Sequence, residues 1–122
     1  MQVLNHIGLA VTDINRSAEF YCDCLDFVIG EQFSGKDLKI LLLHNGATVL
    51  ELLQKQNDPL APRCSGVWDH ITFQVDDIDA MYRKLQTKNV ELLDKEPRLS
   101  VFGKRILFFA GPDGERIELL EK

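Results

Sequence analysis

The sequence predicts an α+β fold of two tandem strand-helix-strand-strand-strand (βαβββ) modules, forming curled mixed sheets around a central cleft. Three observations carry that expectation. Leu4-Asn5-His6-Ile7-Gly8-Leu9-Ala10-Val11-Thr12-Asp13-Ile14 lines up with Trp68-Asp69-His70-Ile71-Thr72-Phe73-Gln74-Val75-Asp76-Asp77-Ile78. Val49-Leu50-Glu51-Leu52-Leu53-Gln54-Lys55 lines up with Arg116-Ile117-Glu118-Leu119-Leu120-Glu121-Lys122. Between these landmarks each half carries one amphipathic helical stretch among short β-rich runs. The chain therefore reads as one domain over 1–122, made of repeats 1–55 and 67–122 joined by a linker over 56–66.

In the first repeat, residues 3–11 read as a strand. Thr12 or Asp13 is placed to cap a helix over 14–26, whose Ile14, Ala18, Cys22 and Leu25 make one apolar stripe. Strands follow at Phe27-Val28-Ile29, Leu38 to Leu43 and Thr48 to Leu53, punctuated by Ser34-Gly35 and Asn45-Gly46. Residues 54–66 are polar and hold Pro59 and Pro62, as suits a connection. In the second repeat a strand at 68–75 leads to a helix over 77–88 with Ile78, Met81, Tyr82 and Leu85 at i, i+3, i+4 and i+7. Strands are expected near 90–94, 105–110 and 115–121, with Gly111-Pro112-Asp113-Gly114 as the last turn. A four-stranded curled sheet leaves open edges, which gives the halves a reason to pair within or between chains.

Composition excludes several classes. A chain of 122 residues, 45% hydrophobic and 27% charged, has the make-up of a packed globular domain. Its net charge of −5 offers no electrostatic attraction to nucleic acid or an anionic membrane. No window reaches the length of an apolar span, and the first residues lack the pattern of a secretory signal. Cys22, Cys24 and Cys64 have no zinc-knuckle spacing and read as reduced thiols, so a cytoplasmic protein is expected.

Chemistry concentrates at four repeated positions. His6 and His70 begin equivalent strands, while Glu51 and Glu118 sit in equivalent final strands between apolar neighbours. One such glutamate alone is usually on the solvent face of a strand, and one such histidine is usually a satisfied strand-end residue. Recurrence of both types in register points instead to one ion held by His6, Glu51, His70 and Glu118. Two imidazoles with two carboxylates suit Ni(II), Co(II), Zn(II), Mn(II) or Fe(II), and not a structural tetrathiolate zinc. Positions left open on a six-coordinate ion imply catalysis on a small-molecule substrate. His44, beside Asn45-Gly46, has no repeat counterpart and reads as a solvent-side turn residue. Lys104 and Arg105 read as a solvated hairpin in preference to a substrate lid, with Arg98 in the same position. Trp68 fits a cleft wall or a packed interface equally.

These residues resemble the vicinal oxygen chelate superfamily, which includes glyoxalases, bleomycin resistance proteins and dioxygenases. The likeness runs through His6-Ile7-Gly8-Leu9-Ala10-Val11, Arg16-Ser17-Ala18-Glu19-Phe20-Tyr21, Leu50-Glu51-Leu52, Asp69-His70-Ile71-Thr72-Phe73, and Gly111-Pro112-Asp113-Gly114 before Ile117-Glu118-Leu119. The order His, Glu, His, Glu is similar to that of glyoxalase I (lactoylglutathione lyase). That resemblance implies a homodimeric lyase or isomerase with one divalent ion, nickel or cobalt preferred and zinc or manganese possible. It also implies isomerisation of a hemithioacetal through a metal-bound enediolate, with Glu118 as mobile base and Glu51 as its counterpart. Ala10 stands where glutathione-using members commonly carry an arginine, and Leu52-Leu53-Gln54 where they carry Thr-x-Asn. A glutathione carboxylate thereby lacks a bidentate partner, and the thiol stays open. Lys95-Glu96-Pro97-Arg98 and Gly103-Lys104-Arg105-Ile106 resemble methylmalonyl-CoA epimerases, the alternative enzyme. A metal-free binder of the bleomycin resistance type is the non-enzymatic alternative.

Overall fold

The computed structural model describes residues 1, 3–56 and 68–122. The chain divides into two compact units, Met1–Ala61 and Pro62–Lys122. The expected linker lies outside the described residues apart from Gln56, and Cys64 lies outside them too.

The first unit runs β1 (Ile7–Ala10), α1 (Ile14–Leu25), β2 (Val28–Ser34), β3 (Leu38–Asn45) and β4 (Thr48–Lys55). Its sheet has the order β1-β4-β3-β2, with β1 parallel to β4 and the other pairs antiparallel. The helix starts where Asp13, in extended conformation, accepts hydrogen bonds from the Asn15 and Arg16 amides. It ends at Asp26 in the left-handed region, where a short polar side chain is tolerated. Its buried face carries Ile14, Ser17, Ala18, Tyr21, Cys24 and Leu25. The expected stripe placed Cys22 there; Tyr21 and Cys24 fill that place because the buried arc is wider than a single i, i+4 row. Packed on β3 and β4, this face meets Leu43, Leu50 and Leu52, all fully buried.

The second unit repeats the plan with β5 (Ile71–Val75), α2 (Ile78–Thr87), β6 (Arg98–Leu99), β7 (Arg105–Ala110) and β8 (Arg116–Glu121). Its order is β5-β8-β7-β6, again with one parallel pair, β5 with β8. Asp77 caps α2 through the Ala80 amide, and Ile78 and Leu85 bury against β7 and β8. Leu107, Phe109, Ile117 and Leu119 complete a fully buried layer. A further equivalence ties each helix start to its last strand. The Ile14 amide donates to Gln54 Oε1 at 2.8 Å, and the Ile78 amide to Glu121 Oε2 at 2.9 Å.

Two expected strands need correction. Residues 3–6 lie outside β1, an edge strand in its sheet that pairs on one side only, and Val3 and Leu4 are exposed. The strand expected near 90–94 is replaced by an isolated bridge, Leu92 to Phe109. There the Asp94 side chain accepts from the Phe108 amide at 2.9 Å, and a side-chain partner takes the place of a ladder carbonyl. The fourth strand of this unit is instead the two-residue β6, joined to β7 by a turn in which Ser100 and Lys104 bond and Gly103 has φ 76°.

Candidate metal-binding pairs

In each βαβββ unit the parallel pairing of first and last strands sets a histidine beside a glutamate. Gly8 is opposite Glu51 in the first unit, and Thr72 is opposite Glu118 in the second. Each histidine stands directly before its strand, two residues ahead of that pairing position. Strand alternation buries Leu50, Leu52, Ile117 and Leu119 on the helix face and turns both glutamates to the opposite face. His6 Nε2 stands 3.8 Å from Glu51 Oε2, and His70 Nε2 stands 3.6 Å from Glu118 Oε1. The structure thus brings His6 to Glu51 and His70 to Glu118. Among the described residues no group of three or more His, Cys, Asp or Glu is arranged to hold a metal ion.

The other nitrogen of each imidazole is anchored by the preceding residue. His6 Nδ1 is 2.7 Å from Asn5 Oδ1, and His70 Nδ1 is 2.6 Å from Asp69 Oδ2. A carboxylate or amide oxygen only accepts, so Nδ1 carries the proton in both rings. Nε2 of a neutral ring is then itself an acceptor, facing a carboxylate that also accepts. With the rings neutral, acceptor faces acceptor in both units, at a separation beyond hydrogen-bond reach. A cation resolves that confrontation: two donors each about 2.0–2.2 Å from one ion are about 3.3–3.6 Å apart at the tetrahedral angle, so each pair needs little or no closing to share one. The residues present therefore fit a divalent metal.

The two pairs differ in their surroundings. Thr72 donates its hydroxyl to Glu118 Oε1 at 2.8 Å. Its counterpart is Gly8, which has no side chain to offer Glu51. Asp69 also accepts from Arg116 Nη1 at 2.7 Å. The hydrogen bond from His70 holds the Asp69 carboxyl below the usual carboxylate range, and the Arg116 charge adds to this against desolvation. Phe108, opposite Glu118 in register, receives the His70 ring edge-on at 5.2 Å and the Arg116 guanidinium at 4.9 Å. Asn5, Asp69, Thr72, Phe108 and Arg116 were not singled out as site residues in the sequence. The available signal was an Asn or Asp directly before the histidine in both repeats.

Other expected positions are corrected. His44 belongs to β3 and not to a turn, and its Nε2 is 3.2 Å from Glu31 Oε2. Arg105 makes two 2.8 Å bonds to the Asp79 carboxylate on α2, which ties helix to sheet. Arg98 pairs with Asp94 at 2.9 Å, while Trp68 is 88% exposed. Cys22 is half-buried and Cys24 buried, and burial followed by the Asp23 charge raises the Cys22 thiol pKa. No helix of the described residues is long and apolar enough to cross a membrane.

The fold defines a class, and comparison with known proteins agrees. Residues 3–119 match the family model of the Glyoxalase/Bleomycin resistance protein/Dioxygenase superfamily, and the chain belongs to that superfamily. It is 34% identical to the Escherichia coli protein YaeR, covering 100% of this chain and 98% of that one. It is 33% identical to the metallothiol transferase FosB of Staphylococcus epidermidis, over 95% of this chain and 79% of FosB. Human mitochondrial methylmalonyl-CoA epimerase is 29% identical, over 95% of this chain and 72% of the enzyme. Among solved structures, a glyoxalase family protein from Enterococcus faecalis superposes with a TM-score of 0.82 at 25% identity, covering 98% of each chain. The trypanothione-dependent glyoxalase I of Leishmania major shares the fold, with a TM-score of 0.82 at 24% identity over 99% of this chain and 87% of that one.

Proposed function

We propose that this chain is a divalent-metal-dependent lyase or isomerase of the lactoylglutathione lyase type, acting on a small substrate with vicinal oxygens. His6, Glu51, His70 and Glu118 are the proposed ligands of one ion, one His–Glu pair coming from a first module and one from a second. The observation that carries this reading is a histidine Nε2 set 3.6–3.8 Å from a glutamate carboxylate oxygen, present twice. When bound, the ion would supply Lewis-acid stabilisation of negative charge developing on the two substrate oxygens.

The chain's own residues supply the rest. Glu118 takes a proton from one carbon and returns it to its neighbour, with Glu51 as the second carboxylate able to do so. Thr72 holds the Glu118 oxygen that faces His70, which keeps the carboxylate aimed while it changes protonation. Asn5 and Asp69 fix the tautomer of their histidines, leaving Nε2 free to bind. Nickel or cobalt is the proposed metal, a homodimer the proposed assembly and the cytoplasm the proposed location. Three cysteines without zinc-knuckle spacing support a reducing compartment.

Similarity to the human epimerase supports a second reading, in which proton removal and return occur at a single carbon. One panel separates the two. Nickel-loaded protein is given methylglyoxal with glutathione, bacillithiol or another thiol, and separately methylmalonyl-CoA; product and deuterium uptake from solvent are followed. Thioester formation supports the lyase, and deuterium exchange into methylmalonyl-CoA alone supports the epimerase. Inertness of metal-loaded protein toward every substrate would count against both.

A further inference from the structure

We infer that Arg116 is a positioning residue for the His70 imidazole, acting through Asp69, and that it makes the two histidines unequal as ligands. The inference rests on the metal-centre reading. Asp69 Oδ2 accepts from both Arg116 Nη1 at 2.7 Å and His70 Nδ1 at 2.6 Å. Asp69 is 59% exposed, so without a second anchor its side chain is free to turn toward water. The guanidinium is anchored in turn, 4.9 Å from the centroid of the Phe108 ring that the His70 ring meets edge-on. Both ends of the chain guanidinium, carboxylate, imidazole therefore rest on one aromatic platform, itself largely buried.

Among the described residues the first unit has no such chain. Val49 occupies the place of Arg116, two residues before the glutamate, and neutral Asn5 occupies the place of Asp69. An ionised partner on Nδ1–H makes Nε2 a stronger donor than an amide partner does. The fork and flat face of arginine are both in use here, one on the carboxylate and one on the ring, and lysine reproduces neither. His70 is thus the more firmly oriented ligand, and His6 the less firmly oriented one.

The test uses full-length protein and the variants Arg116→Leu, Arg116→Lys, Asp69→Ala and Asn5→Ala, with circular dichroism confirming that each is folded. Long-range 1H–15N correlation on metal-free protein reports which nitrogen of each ring is protonated. Wild type should show His70 with its proton on Nδ1. Asp69→Ala and Arg116→Leu should give mixed tautomers at His70 without altering His6, and Arg116→Lys should recover only part of the wild-type pattern. Nickel affinity by chelator competition should fall roughly 10- to 100-fold in Arg116→Leu and Asp69→Ala, and less in Asn5→Ala. An unchanged His70 tautomer and unchanged nickel affinity in Arg116→Leu would overturn the inference. If wild type takes up no nickel, the metal-centre reading fails, while the tautomer spectra still decide whether Arg116 positions the ring.

Discussion

At the scale of single residues, the account gives Glu118 a chemical task separable from folding. Its side chain sits on the face opposite α2, 15% exposed, and accepts a hydrogen bond from Thr72. Glu118→Gln keeps the volume and an oxygen for Thr72 but removes the base. Thermal unfolding should move little, while proton exchange at the substrate carbon falls by about two orders of magnitude or more; unchanged exchange would remove Glu118 from the reaction. Gly30 offers a different residue-level test. A Cβ there would come within 2.5 Å of the His44 ring, at the register shift between β2 and β3. Gly30→Ala should push the ring away from Glu31, whose carboxyl is held low first by its own backbone contact and then by His44. The His44 proton resonances should shift, with a slight loss of stability, and unchanged resonances would contradict the close approach.

At the scale of elements, α2 is fastened to its sheet by Asp79 and Arg105. The hydrogen bond from Arg105 lowers the Asp79 pKa, against an opposing desolvation, so the folded value lies below the unfolded one. Its contribution is accordingly complete above the ordinary carboxylate range and disappears as pH falls through the folded value. Asp79→Asn should unfold at a lower temperature than wild type at neutral pH, with the two curves converging in strong acid; a constant gap at all pH values would contradict the ion pair. The helix–sheet layer is the larger source of stability. Leu119, fully buried beneath α2, is expected to cost about 2–5 kcal/mol when replaced by alanine, measured by urea unfolding. Elements of this kind were legible in the chain. Ile106–Ala110 shows an unbroken apolar run, and both aspartate caps stand directly before amphipathic stretches. The segment at 90–94 misled because Val90, Leu92 and Leu93 have strand composition, while its pairing is decided by the Asp94 carboxylate on a backbone amide, which no periodicity records.

At the scale of the whole molecule, duplication is the organising fact, and it explains what was readable. Because a fold repeated in sequence repeats its register, aligning His6 with His70 and Glu51 with Glu118 places a histidine and a glutamate at equivalent points of both units. The buttressing was less readable, since Asp69 to Arg116 spans 47 positions and depends on β5 and β8 pairing in parallel. Asymmetry between the units was hidden for the same reason: Gly8 against Thr72 and Val49 against Arg116 look like ordinary drift until the partners are seen. The central claim is that two His–Glu pairs serve one ion, and it has a direct measurement. Equilibrium nickel titration of metal-free protein should give one ion per chain, and replacing either His6 or His70 by alanine should abolish tight binding. Two ions per chain, or tight binding that survives loss of one histidine, would show that the pairs act separately and contradict the account.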